Sequence, residues 1–223
     1  MKNPNSWSNL HQPMLEDQIY HVFNQGNNGG NIFKTNENRI YFLSKLDKYL
    51  GQFVDIIGTC LMDNHYHLLF RVKSYNEIVK QIPMVKGLDK VIKRHRIIGK
   101  RNVVSIIISE MLRRCFMSYA KAFNKVFNRS GSLFRKNFRR KLITSEKYLR
   151  NVWIYIHKNP QIHRKIKNYV KYKWSSYTFY LKNEIKNDFV NLIFDKIFGD
   201  IKNYVDAHQY YDYKNEDKFY IIE

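Results

Sequence analysis

Cysteine is almost missing from this chain: Cys60 and Cys115 are the only two in 223 residues, far apart and in no metal-finger spacing. That excludes a disulfide framework, and reduced thiols in the cytoplasm are expected. Long apolar runs are missing as well, since none approaches the ~20 residues that span a bilayer. Met1 to Gln12 is polar and holds no apolar signal core, so a soluble intracellular protein without a membrane partner is expected. There is no phosphate-binding glycine loop, which argues against a nucleotide cofactor. No internal repeat or heptad run occurs. Acidic residues are scarce too, with 19 Asp and Glu set against 39 Lys and Arg.

What is present is a folding composition, 44% apolar and 16% aromatic, carrying a net charge of +20. Such an excess opposes compaction by self-repulsion and points to a polyanionic partner. Nucleic acid leads, with an anionic membrane surface as the alternative. The charge is uneven: from Glu184 onward there are nine acids and five bases, leaving 10 acids and 34 bases before it. The tail therefore stands outside the basic surface and reads as an acidic helical segment that packs on the domain.

Residues 18–25 are rich in strand formers and are followed by a glycine and asparagine turn at Gly26 to Asn31. Ile40, Leu43, Leu46 and Leu50 have amphipathic-helix spacing, stopped by Gly51. Phe53 to Leu61 and His65 to Val72 read as strands joined by Met62-Asp63-Asn64. Lys73 to Arg101 is lysine-rich, a helix plus a basic insertion. Ile107, Met111, Cys115, Ala120 and Phe123 mark a long helix over 103–127. Ser132 to Ile143 is extended. Thr144-Ser145 caps a last helix through Tyr148, Val152 and Tyr155 to Pro160. The order predicts an α+β fold, an antiparallel sheet with helices on one face.

His65 and His67 lie on a predicted strand, where i and i+2 share a face about 7 Å apart. Two imidazoles so placed can chelate one divalent metal, although a bare His-x-His more often marks a solvated strand face. A metallohydrolase barrel also carries such a pair. This chain is shorter than the ~250 residues of such barrels and lacks their alternating strand-helix units. Tyr66, Leu68 and Phe70 fall on the opposite face, in the core. Downstream, Tyr155 and Asn159 share a helix face at i and i+4. Pro160 is expected to end that helix and leave Asn159 at an exposed terminus. A tyrosine hydroxyl beside a metal-bound phosphate can act as nucleophile, and an amide oxygen can be a third ligand. Tyr119 is the rival nucleophile, but its i+4 residue is Phe123, which cannot ligate a metal.

Five segments together resemble the REP-associated tyrosine transposases, a branch of the single-tyrosine HUH nucleases. They are His21 to Gly26, Leu61 to Leu69, Gly131 to Phe134, Tyr155 to Pro160 and Trp174 to Tyr177, in the family's order over roughly 18–208. The resemblance implies a ferredoxin-like antiparallel sheet with the histidine pair on a central strand and the tyrosine on a neighbouring helix. It assigns His65, His67 and Asn159 to a Mg²⁺ or Mn²⁺ site and Tyr155 to nucleophilic attack. The implied activity is a transposase's: single-strand cleavage of hairpin-flanked DNA through a 5′-phosphotyrosine, and strand transfer. Departures are Tyr66 inside the triplet, with its hydroxyl placed at the core edge, Gln161 to Arg164 after the proline, and a basic stretch between Val72 and Val103 without counterpart. His157, facing away from Tyr155, has a structural or a DNA-contacting role.

Residues 1–17 then form an N-terminal arm, 18–182 the catalytic domain with a basic insertion at about 73–103, and 183–223 an acidic helical extension. DNA is expected on three basic stretches: Lys93, Arg94, Arg96, Lys100 and Arg101; Arg135, Arg139, Arg140 and Lys141; and Arg164 to Lys173. Phe134, Phe138, Tyr169, Tyr172 and Trp174 are candidates to stack unpaired bases. Both a monomer and a homodimer fit. The competing reading is a non-catalytic single-stranded DNA- or RNA-binding module on the same fold.

Overall fold

Strand-forming residues Ile19–Gln25 make β1, and Thr35 then opens α1, Asn36–Leu50, through a capping box with Asn38. These elements belong to a computed structural model that describes residues 12–95 and 100–212, without the side chains of 100–102. The chain continues through β2 (Val54–Leu61), β3 (His65–Val72), α2 (Tyr75–Gln81) and α3 (Leu88–Arg94). Next come α4 (Lys100–Val126), β4 (Arg139–Leu142), α5 (Glu146–Ile162), α6 (Tyr177–Leu181), α7 (Asp188–Phe198) and α8 (Ile201–Gln209).

The strands form one antiparallel sheet in the order β2-β3-β1-β4, so β3 and β1 are central. Alternation along β3 sends Tyr66, Leu68, Phe70 and Val72 into one core, with α1 and α4 packed over them. His65, His67, Leu69 and Arg71 take the other face. There Ile57, Cys60 and Leu69 meet α5 and the helices after it in a second core. The helical layer expected on one face is thus α1 and α4, and α5 to α8 add a layer on the reverse. Two faces need two apolar sets from β2, and a bulge between Ile56 and Gly58 supplies them by shifting the strand's alternation.

The buried stripe of α1 differs from the expected one. Arg39, Phe42, Leu46 and Leu50 face the core, whereas Ile40 is 59% exposed and Leu43 is 37% exposed. Phe42 rotates the stripe because its ring fills a space among Phe33, Tyr66 and Tyr119, with centroids 5.1–5.2 Å away. Arg39 follows it inward and pairs with Asp63 at 2.5 Å. Tyr66 is fully buried, not at the core edge, and its hydroxyl has no hydrogen-bond partner among the described residues. Among the described residues, no helix is long and apolar enough to cross a membrane.

Candidate active site

The β1–β3 register sets Phe23 opposite His67 and Gln25 opposite His65, on the face away from α1 and α4. Gly26 keeps this end of the sheet closed. Its N–H donates to the Asn64 carbonyl at 2.7 Å, and the 27–30 turn folds back so tightly that a Cβ there would lie 1.8 Å from the Gly30 oxygen. The Asp63 carbonyl accepts from the N–H groups of Ile32 and Phe33, at 2.8 and 2.9 Å. His65 therefore leaves a loop that is tied on both sides.

The two imidazole centroids of His65 and His67 are 5.1 Å apart and their planes nearly perpendicular. His65 Nδ1 lies 2.7 Å from Asn64 Oδ1, and its Nε2 lies 2.9 Å from Asn159 Oδ1. Asn159 is completely buried and its Nδ2 has no hydrogen-bond partner among the described residues. Both neighbours of the ring are amide oxygens, which accept hydrogen bonds and can also ligate a metal. His65 Nε2 and Asn159 Oδ1 stand side by side as a nitrogen and an oxygen donor, a pair of the kind that would suit a divalent ion. Among the described residues no group of three or more His, Cys, Asp or Glu is arranged to hold a metal. The donor set that fits is two imidazoles and an amide oxygen.

Tyr155 stands edge-on to His67, with centroids 5.6 Å apart, and to His21 at 6.5 Å. It is 1% exposed. Asn159 is not at an exposed terminus, because α5 continues past Pro160 to Ile162 and the Asn159 carbonyl accepts from the His163 N–H at 3.0 Å. The chain then turns back, with the N–H groups of Lys165 and Ile166 on the Pro160 carbonyl. His157 faces the other way and is fully buried among Ser176, Tyr204 and His208, which makes it structural rather than DNA-contacting.

Two histidines join the site that spacing along one strand could not reveal. His21 Nε2 is 2.9 Å from His67 Nδ1, which directs any metal ligation by His67 to Nε2. The exposed His163 ring lies 5.4 Å from that of His65. Alternation along β1 puts His21 and Phe23 on one face, but only the cross-strand register brings that face to His67. Burial pushes His21 down to about 3, with Lys141 adding to the shift. Burial also holds His67 well below its usual value, helped by His21, His65 and His163. Both rings are thus neutral at pH 7, the form that ligates a metal.

A cleft of about 70 Å³ opens beside the pair, walled by His65, His67, Gln25, Arg135, Lys136 and Arg139 among others. Tyr155 does not line it. Of the other basic candidates, Lys93 and Arg94 are exposed on α3, and Arg96 and the side chains of Lys100 and Arg101 lie outside the described residues. Arg140 is turned to the Gln12 carbonyl and the Phe138 ring. Lys141 is buried opposite His21 and so is not part of the basic surface; burial pushes its ammonium down to about 8. In the third stretch, Arg164, Lys165, Lys167, Lys171 and Lys173 are exposed.

Most of the aromatic stacking candidates are core residues instead. Phe134, Tyr169 and Tyr172 are buried, and the Tyr172 hydroxyl donates to the Leu61 carbonyl at 2.8 Å. They alternate with basic residues because each segment lies over the sheet, one side inward. Phe138 and Trp174 remain half-buried. Tyr119, the rival nucleophile, lies elsewhere. It packs in the α1/α4 core, across the sheet from the histidines, and its hydroxyl donates to the Ile32 carbonyl at 2.5 Å.

No family model and none of the curated proteins matches this sequence. Among solved structures, that of a REP-associated tyrosine transposase bound to a REP hairpin matches with a TM-score of 0.50 at 12% identity. The match covers 79% of this chain and 86% of that one. The likeness is one of fold: the four-stranded antiparallel α+β architecture described above is shared with that structure.

Proposed function

We propose that the protein is a metal-dependent single-strand DNA endonuclease and strand transferase, a transposase acting through Tyr155. The observation that carries this reading is the meeting of His65, His67, Asn159 and Tyr155 on one face of the sheet, beside a cleft walled by Arg135, Lys136 and Arg139. The structural relative is bound to a REP hairpin, and hairpin-flanked DNA is the substrate proposed for this chain.

His65, His67 and Asn159 would hold Mg²⁺ or Mn²⁺, which supplies charge neutralisation at a phosphate and favours the phenolate form of a nearby tyrosine. Arg135, Lys136 and Arg139 bring the phosphate backbone to the cleft, with an affinity that falls steeply with salt. The Tyr155 oxygen attacks phosphorus and the bond to the 3′ oxygen breaks. The products are a 5′-phosphotyrosine and a 3′-hydroxyl that has taken up a proton. Attack by another 3′-hydroxyl reverses the step and frees Tyr155, so no nucleotide is consumed. Tyr155 is buried behind this cleft, at 1% exposure. Residues 18–182 form the catalytic unit in this reading, with 183–223 as its extension.

A second reading, a nucleic-acid-binding module without catalysis, is favoured by that same burial of Tyr155 behind the cleft. A covalent-adduct gel separates the two. Wild-type protein with Mn²⁺ and hairpin DNA from beside its gene is expected to give a shifted, denaturation-resistant band that Tyr155→Phe abolishes. A band that survives in Tyr155→Phe moves the nucleophile elsewhere. DNA binding without a band under either metal establishes the binding module.

A further inference from the structure

The face of α5 opposite Tyr155 and Asn159 is held by α8 through a directed chain of hydrogen bonds. The Thr59 N–H, on β2, donates to Ser176 Oγ at 2.9 Å, and that hydroxyl lies 2.9 Å from His157 Nε2. His157 Nδ1 is 3.0 Å from His208 Nε2 and 3.1 Å from the Tyr204 hydroxyl. His208 Nδ1 is 2.8 Å from the Tyr204 carbonyl.

The ends of the chain fix its direction. A carbonyl only accepts, so His208 carries its proton on Nδ1 and accepts on Nε2. His157 must then donate from Nδ1 and accept the Ser176 hydroxyl proton on Nε2. Each ring nitrogen has a complementary partner, and both imidazoles are neutral. Lys158, the next residue of α5, donates from Nζ to the His208 carbonyl at 2.8 Å and the Tyr211 carbonyl at 3.2 Å. A cation there satisfies carbonyls that the end of α8 leaves open.

Positions 155 and 159 thus meet the sheet histidines while 157 and 158 meet α8. The helix cannot shift or turn without breaking contacts on both sides, and its interior is packed too closely to absorb the shift. We infer that α8 is a brace for α5, and that His208 is a positioning residue which holds Asn159 Oδ1 against His65. The inference rests on the proposed metal site, to which it adds a control from outside that site.

The test uses the full chain with His208→Ala, His208→Gln and Lys158→Met. Glutamine offers an amide oxygen where the acceptor Nε2 stood. Manganese affinity is read by the loss of the free-ion electron paramagnetic resonance signal, and the Asn159 amide by its NMR resonances. The expected result is a folded His208→Ala protein with up to ~10-fold weaker manganese binding, the lower end of losses for groups bonded directly to a ligand, and displaced Asn159 resonances. His208→Gln should recover most of both, and Lys158→Met should show a smaller loss of the same kind. Unchanged affinity and resonances in folded His208→Ala overturn the brace and leave α8 as bulk stability only. Should His208→Ala fail to fold, unchanged values in Lys158→Met overturn it equally. If the wild type binds no manganese, the metal reading fails, while the Asn159 resonances still decide whether α8 positions α5.

Discussion

The two faces of the sheet solve the same packing problem with different chemistry. Under α1 and α4, Val22, Leu68, Phe70, Phe42 and Leu112 interlock as an apolar core, and the Tyr66 hydroxyl is its one buried side-chain polar atom on β3 without a hydrogen-bond partner among the described residues. Under α5 to α8 the sheet presents His21, His67, Lys141, Asp55 and Arg71, most of them buried and bonded to one another or to the helices. Asp55, for example, bonds Arg71 at 2.7 Å and the cap residue of α7, Asn187, at 2.9 Å. The first face holds the strands rigid. The second spends burial on groups that are costly to desolvate, and it is there that a metal, a phosphate and a nucleophile can meet.

Acid should break the comparison most. Burial pushes His21 and His208 down to about 3, against about 6.5 in an unfolded chain. A histidine kept neutral by folding contributes its full stability above about 6.5 and loses it as the pH falls towards its folded value. The slope is about 1.4 kcal/mol per pH unit for each group. By pH 4.5 these two alone remove about 5 kcal/mol, and His67 and His157 shift in the same direction. Hydrogen exchange between pH 7.5 and 4.5 should show α5 and α8 losing protection before α1 and α4. Simultaneous loss on both faces would mean that the polar face is not the weaker one.

A cavity on the other face comes next. Phe70→Ala, beneath α1 and α4, should cost about 4 kcal/mol in urea unfolding, in the range for a buried aromatic. It should leave the manganese affinity within about twofold, since Phe70 points away from His67 on alternating β3 positions. A large loss of affinity would show that the site depends on both layers. The smallest effect, of opposite sign, is expected for Tyr66→Phe. Removing a buried hydroxyl without a partner should raise stability by about 1 kcal/mol. Destabilisation instead would mean that the hydroxyl is bonded in solution.

Much of this was legible beforehand, because helix and strand periods are local. The spacing of His65 and His67, the i and i+4 pair Tyr155 and Asn159, and the cap of α5 follow from backbone geometry and needed no partner segment. Less legible was which side of a segment turns inward when both sides carry apolar residues. On α1, Ile40 and Phe42 compete, and the aromatic wins only because Tyr66 and Tyr119 form its socket. Tyr169 and Tyr172 read as stacking surfaces until the sheet beneath them is known.

The sequence by itself determined the four strands, the long helices and their order, and the chemistry each could offer, since those depend on neighbours within a few residues. Only the tertiary structure decided that His21 meets His67, that the β2 bulge gives both cores their apolar sets, that Tyr155 sits behind the cleft and that α8 grips α5. Those facts depend on cross-strand register and on contacts between residues tens of positions apart, which local spacing leaves open.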